Sequence, residues 1–269
     1  MPNAPDSLSP STWQSLLTTH SLGRGENLVL EETASTNTLL KQMALSGAPH
    51  GSLCISETQT AGKGRLGRSW HSPAGQGLWL SVLLRPPIKP EDAPLVTLCA
   101  AIAMAQAVNE TTGLDALIKW PNDLVLRGRK LCGILLEVGF GPEGIDYIIA
   151  GTGLNVGKAA YPADLKQQAT AIADHTSPPP RRKLLVRYLA ALEEIVTRLE
   201  QGGFAAIAGS YRARSCTLGS VVMVSGSVEF TGVAEAIDET GALLVRDEQG
   251  TLRRVLAGDV SVRGVMGYV

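Results

Sequence analysis

The sequence predicts an α+β fold, and three observations carry that prediction. Strand-like and helix-like segments do not alternate strictly, as a doubly wound parallel sheet would require. Four strand-like segments between residues 117 and 150 follow one another through tight turns, which is the pattern of an antiparallel sheet. The last fifty or so residues carry strand signals alone and read as a small β-barrel. With 44% hydrophobic and 18% charged residues over 269 positions, the chain can build a sizeable core and is not globally disordered. Aromatic residues are only 4%, so that core must be aliphatic and rich in alanine.

The elements follow in order. Residues 1–34 are polar, with one apolar stretch at 28–30. Ser35-Thr36-Asn37 ahead of Leu39, Leu40, Met43 and Ala44 reads as a helix start with one apolar face, closed by Gly47. Strands are expected over 52–57 and 77–84, the second bounded by Pro86 and Pro87. Residues 91–112 form an Ala-rich helix, apolar nearly all round and therefore buried. Short strands at 117–120 and 124–126 flank Pro121-Asn122, and longer ones follow at 131–138 and 145–150. After Pro178-Pro179-Pro180, the spacing of Leu185, Tyr188, Leu189, Leu192, Ile195, Val196 and Leu199 predicts a long amphipathic helix, then a shorter one over 204–214. Strands at 221–224, 228–236, 242–246 and 252–256 complete the chain, so a domain boundary is placed near residue 215.

Several function classes are excluded early. A net charge of −1, from 24 basic and 25 acidic residues, argues against a protein whose main task is holding nucleic acid. Cys54, Cys99, Cys132 and Cys216 are too far apart for a zinc knuckle or a redox pair, and the His residues are equally scattered, so no metal site is expected. No secretory signal opens the chain, and the longest apolar run, 95–105, is too short to span a bilayer. A soluble cytoplasmic protein is expected.

The densest chemical signal is Gly62-Lys63-Gly64-Arg65-Leu66-Gly67-Arg68-Ser69-Trp70. Its glycines let backbone approach a ligand, and its cations, with no acid among them, call for an anion or for open solvent. Gly62, Gly64 and Gly67 satisfy G-x-G-x-x-G, and the stretch is one residue from a P-loop, with Arg68 in place of the lysine. Both motifs need a helix directly afterwards, and Trp70-His71-Ser72-Pro73 starts none. The dinucleotide motif also lacks its acid about twenty residues on. Anion binding must therefore use side chains and flexible backbone.

Other segments are weaker alone. Lys119-Trp120-Pro121-Asn122-Asp123 packs polar groups between apolar strands, either as a plain turn or as a site. Lys130 heads an apolar strand, where a solvated edge lysine is the commoner case. Gly151-Thr152-Gly153-Leu154-Asn155 ends a strand and suits either a turn or close backbone approach to a ligand. Ser35-Thr36-Asn37 is explained as a helix cap, though its spare polar groups could also grip a small ligand.

Together, in order and spacing, these segments closely resemble biotin protein ligases, also called biotin–[acetyl-CoA-carboxylase] ligases. Gln59-Thr60-Ala61 ahead of the glycine loop and Lys130-Leu131-Cys132-Gly133 add to the match, which runs from about residue 28 to the end. The resemblance implies a mixed sheet flanked by helices, of the class II aminoacyl-tRNA synthetase and biotin ligase type, over residues 1–214, and an SH3-like β-barrel over 215–269. It implies a two-step reaction. Biotin and ATP give biotinyl-5′-AMP and pyrophosphate, with Mg²⁺ accompanying the ATP. A lysine of the biotin carboxyl carrier domain of a carboxylase then takes the biotinyl group.

The resemblance also assigns roles. Arg65 and Lys63, with Gly64 and Gly133, line the biotin and adenylate site. Arg68, Asn122 and Asn155 meet the nucleotide, and Lys130 neutralises charge in the transition state. Ser35, Thr36, Asn37 and Gln59 hydrogen-bond biotin, Trp70 packs on the ligand or adenine, and Asp123 orients or deprotonates the incoming lysine. Two departures stand out. Lys63 replaces the arginine usual in the family, which keeps charge but loses a bidentate fork. Only 34 residues precede Ser35, fewer than the roughly 50 a domain needs, so a ligase without DNA-binding activity is expected. A homodimer is left open, because sheet-edge pairing carries no motif. The rivals are a lipoyl or octanoyl transferase of the same fold and a non-catalytic ligand sensor. The glycine loop with Lys-Trp-Pro-Asn-Asp favours biotin, while Arg65 and Lys130 favour catalysis.

Overall fold

A computed structural model of the chain describes residues 6–158, 161–162, 165, 167–226, 229–256 and 261–264. The first part of the chain forms β1 (Asn27–Thr33), α1 (Thr36–Leu45), β2 (Leu53–Gln59), β3 (Gly77–Leu84), α2 (Leu95–Thr112), β4 (Leu117–Lys119), β5 (Asp123–Leu126), β6 (Arg129–Gly141) and β7 (Gly144–Asn155). These strands make one mixed sheet in the order β1-β2-β3-β7-β6-β5-β4, in which β1 and β2 pair parallel and the other neighbours antiparallel. Then comes α3 (Arg181–Arg212), broken at Gly203, whose φ of 60° and ψ of −159° are not helical. That break separates the two helices the sequence predicts there.

Strand alternation assigns the faces of the sheet. Leu78, Leu80, Val82 and Leu84 of β3 join the main core with α2 and α3. Leu83 of β3 faces the other way, into a smaller cluster with Leu40 and Ala44 of α1. α2 is the one described helix long and apolar enough to cross a bilayer, yet 72% of its apolar window is buried inside the fold. It is the hub of the core and is hydrophobic around its whole circumference for that reason.

The N-terminal stretch is more structured than its polarity suggests. Short 3₁₀ turns at Pro10–Thr12 and Gln14–Leu16 bury Leu8, Trp13, Leu17 and Leu22, with Trp13 fully enclosed. Buried Arg181 at the start of α3 holds this stretch through Asp6 at 2.6 Å and also binds Glu57 of β2 at 2.7 Å. Glu193 of α3 accepts from the backbone N–H groups of His20, Ser21 and Leu22 and from the Ser21 hydroxyl.

The C-terminal part forms β8 (Val221–Ser225), β9 (Phe230–Ile237), β10 (Leu243–Asp247), β11 (Leu252–Val255) and β12 (Ser261–Gly264). The expected strand start at Val228 lies outside the described residues. These strands pair antiparallel in the order β11-β10-β9-β8-β12. This corrects the expected barrel. Closure needs β11 to pair with β12, and among the described residues each pairs on one side only, leaving an open five-stranded sheet. β12 is also an addition. The sequence does not predict this strand over Ser261–Gly264.

Candidate active site

A cavity of about 220 Å³ opens on the sheet face that carries α1. Its floor is built from glycines. Gly133 of β6 lies opposite Gly153 of β7, and a Cβ on Gly153 would fall 2.4 Å from the Trp70 indole nitrogen. A Cβ on Gly133 would meet the same indole at 2.9 Å, and one on Gly151 would meet Asn37 Oδ1 at 2.0 Å. The 151–155 segment is therefore not a turn after the strand but part of β7 itself. Its glycines serve close approach, of Trp70 and Asn37 onto the sheet.

One end of the cavity is neutral and polar. The α1 helix starts where the sequence places it, but the Ser35 side chain does not cap it. The cap comes from β2: Gln59 Oε1 accepts the Thr36 N–H at 2.9 Å and the Thr36 hydroxyl at 3.1 Å. Gln59 Nε2 donates to Ser72 Oγ at 2.9 Å. Asn37 Nδ2 donates to the Leu135 carbonyl and to Glu137 Oε1, each at 3.2 Å. Beneath them Ser81 of β3 donates toward Thr36 Oγ1 at 2.8 Å and Asn37 Oδ1 at 2.6 Å. Ser35, Thr36 and Asn37 are all buried.

The other end is cationic. Residues 62–70 fold back on themselves, with Gly64 N–H donating to Arg68 O and Trp70 N–H to Gly62 O. At the tip Leu66 adopts φ 56° and ψ 36° and stays exposed. No helix follows, as the rejection of both phosphate motifs requires. Arg65 Nη1 donates to Asn122 Oδ1 at 2.8 Å, and Asn122 Nδ2 to the Ile134 carbonyl at 2.9 Å, so the loop is anchored to the sheet. Burial lowers the Arg65 pKa, which Asp123 nearby counters. A guanidinium keeps its charge in either case. Lys63 is exposed and donates to Thr38 Oγ1 of α1 at 2.9 Å, while Arg68 is exposed on the cavity rim.

Lys130 and Asp123 form an ion pair of 2.7 Å, with side chains 25% and 15% exposed. The Lys130 ammonium also sits 5.2 Å from the Trp70 ring centroid. Trp70 meets Trp79 edge-on at 6.4 Å, and its indole N–H is buried with no hydrogen-bond partner among the described residues. Asn155 lines the cavity but spends its Nδ2 on the Thr170 carbonyl at 3.0 Å. The Trp120–Pro121 peptide is cis. Trp120 bridges to the C-terminal sheet, donating from Nε1 to the Gly241 carbonyl and from its backbone N–H to Thr217 Oγ1.

All the sequence-derived site residues line this one cavity. Sequence reasoning missed Ser81 and Glu137, which stand behind the lining, and half-buried Tyr161, which belongs to it, and it gave no role to buried Lys119. Lys119 was visible within its motif. Ser81 sits in an apolar strand and gave no signal, and Tyr161 follows a stretch with no periodicity. Burial pushes the Tyr161 hydroxyl up to about 12, and its oxygen has no partner among the described residues. No cluster of three or more His, Cys, Asp or Glu that could cage a metal ion exists among the described residues.

Comparison with known proteins places this geometry. Residues 29–155 match the Biotin/lipoate A/B protein ligase family, and residues 220–263 match the Biotin protein ligase C terminal domain. The biotin–[acetyl-CoA-carboxylase] ligase of Mycobacterium tuberculosis is 37% identical over 240 residues, which is 86% of this chain and 87% of that one. The bifunctional ligase/repressor BirA of Bacillus spizizenii is 31% identical over 88% of this chain and 74% of its own length. Among solved structures, the biotin protein ligase of Aquifex aeolicus in complex with biotin and ATP superimposes with a TM-score of 0.76 at 28% identity, covering 89% of this chain and 99% of that one.

Proposed function

The chain belongs to the biotin protein ligase family, and from that premise we infer its reaction and the part each residue plays. It is an ATP-dependent biotin–protein ligase. In the first step a biotin carboxylate oxygen attacks the α-phosphorus of ATP, the bond to the β-phosphate breaks, and biotinyl-5′-AMP and pyrophosphate form. In the second, a lysine amine of the carrier domain attacks the acyl carbon, the acyl–phosphate bond breaks, and AMP leaves.

The observation that carries this reading is the polarity of the cavity. Its neutral end, after internal bonds, still offers the Ser35 hydroxyl, one Gln59 N–H and spare acceptor lone pairs on Asn37 and Thr36. A cyclic urea, one carbonyl flanked by N–H groups, needs such a mixed set. The disulfide ring of lipoate offers nothing to it. At the other end Arg65, Lys130 and Arg68 supply the positive charge that a carboxylate and a triphosphate require.

Lys130 is placed to meet the developing charge at the carboxylate and α-phosphate, and Arg65 to hold the adenylate. Arg68, Asn122 and Asn155 face the nucleotide, and Trp70 forms a wall against the ligand. Asp123 has a double task. While the site is free of substrate it pairs with Lys130. Once Lys130 turns to the substrate anions, the carboxylate can receive the incoming lysine, whose free pKa near ~10.4 keeps it charged at neutral pH. The described residues form no carboxylate cage, and Mg²⁺ would enter with the triphosphate oxygens, where it would neutralise their charge. Residues 1–214 are taken as the catalytic unit and 215–269 as a small β domain bracing the Trp120 turn. The acceptor is the biotin carboxyl carrier domain of a carboxylase, a reading supported by the acetyl-CoA carboxylase in the name of the M. tuberculosis relative. Dependence on ATP and four unpaired cysteines support a cytoplasmic setting.

The test is incubation with ATP, biotin and a purified carrier domain. Covalent biotin on the carrier is expected. Transfer of lipoate instead, or no transfer, would contradict the reading.

A further inference from the structure

We propose that Ser81 is a positioning residue for the biotin end of the cavity, holding from beneath the Thr36 hydroxyl and the Asn37 amide in the orientation in which they face the ligand. The inference rests on the ligase reading of the site and adds a residue that does not touch the ligand.

Ser81 is wholly buried in β3, within a run of otherwise apolar residues. A hydroxyl there is costly unless it is bonded. Its partners are two of the biotin-facing side chains, Thr36 Oγ1 and Asn37 Oδ1. The orientation of each neighbour is otherwise determined. Asn37 Nδ2 faces two oxygens that can only accept, the Leu135 carbonyl and the Glu137 carboxylate, so Oδ1 must point toward Ser81. Gln59 Oε1 faces a backbone N–H that can only donate, so its Nε2 must point toward Ser72. The Thr36 hydroxyl proton is committed to Gln59, which leaves its oxygen as an acceptor for Ser81.

Ser81 is thus the shared donor of the cluster. Its single proton serves the Asn37 carbonyl and the Thr36 hydroxyl oxygen together. Without it both acceptors lose their buried donor, and Thr36 and Asn37 are held only by their bonds to Gln59, Leu135 and Glu137, so the groups they present to the cavity are fixed less tightly. The missing Cβ of Gly151 lets Asn37 press onto the sheet within reach of Ser81. A neutral urea has no charge to compensate for misdirected partners, so its binding depends on fixed hydrogen-bond polarity, whereas a triphosphate held by cations does not.

The experiment measures steady-state labelling of a carrier domain by the full chain and its Ser81→Ala variant, varying biotin and ATP separately. A rise in KM for biotin of roughly five- to tenfold is expected, the loss of about one neutral hydrogen bond. KM for ATP and kcat at saturating biotin should stay within about twofold. Desthiobiotin, which keeps the urea but lacks the sulfur ring, should lose as much as biotin. Ser81→Cys, a weaker donor, should fall between the two. Parallel rises in both KM values, or an unchanged KM for biotin, would overturn the proposal. Should the alanine variant fail to fold, the cysteine variant decides by the same split. A wild-type chain that labels with lipoate, or not at all, would instead overturn the ligase reading, so the two failures are distinguishable.

Discussion

At one end of the cavity, Thr36, Asn37, Gln59 and Ser81 are bonded to one another and to backbone, on α1, β2 and β3. At the other, Lys63, Arg65, Arg68 and Lys130 reach in from a loop and a hairpin, and Lys63 and Arg68 stand exposed. The contrast follows from what each end must hold. Hydrogen bonds to a neutral ligand are weak and directional, so their partners must be fixed before binding. Attraction between ions falls off slowly and tolerates angular error, so cations can reach in from a loop and still act. On the proposed reading, fixed polarity serves the urea and cations from the glycine loop and from β6 serve the phosphates.

The largest break in this comparison comes from Lys130→Ala. Removing a preorganised cation from the reacting centre is expected to slow adenylate formation about 10²- to 10³-fold. Biotin-dependent pyrophosphate release checks it, and normal release would show that the role is misassigned. Asp123 would also lose this ion pair, so the thermal midpoint is to be read alongside.

Arg65→Gly should have the next largest effect, and of a different kind. The arginine ties the loop to Asn122, and on the proposed reading its loss loosens the loop beside the adenylate. Leakage of biotinyl-AMP into solution is expected to rise roughly tenfold or more, the worth of a hydrogen bond to a charged group, with labelling of bystander lysines. Unchanged retention would refute it.

A change remote from both ends sharpens the comparison. Although burial raises the Glu193 pKa, the Ser21 hydroxyl and the backbone N–H groups of residues 20–22 outweigh it and hold the carboxyl below its ordinary range. A depressed folded-state pKa means stability present above the unfolded value and lost as pH falls through the folded one. Glu193→Gln should therefore cost about 1 kcal/mol near neutral pH, discounted for partial solvent exposure, and the cost should fade toward acid. Thermal melts across pH check this. KM values for biotin and ATP should not move.

Much of this division was legible before any coordinates. The loop announced itself through glycines and cations without acids, and β3, α2 and the β4–β7 run through apolar patterning. The cavity-floor glycines were ambiguous, because glycine in a strand and glycine in a turn look alike in sequence. Ser81 and Glu137 were invisible, since their contacts are with residues more than forty positions away. Trp13 and its turns hid in a polar stretch, where single apolar residues have no periodicity. The open C-terminal sheet could not be foreseen, because four or five short strands suit an open sheet and a barrel equally.

The most direct test of the two-ended cavity is exchange of radiolabelled pyrophosphate into ATP, measured on the isolated ligase with biotin and, separately, with lipoate. It reads the first step alone and needs both ends at once. Exchange with biotin and none with lipoate is the predicted result. Equal exchange with lipoate would contradict the claim that the neutral end selects a urea, and no exchange with either would contradict the assignment of the cationic end to the phosphates.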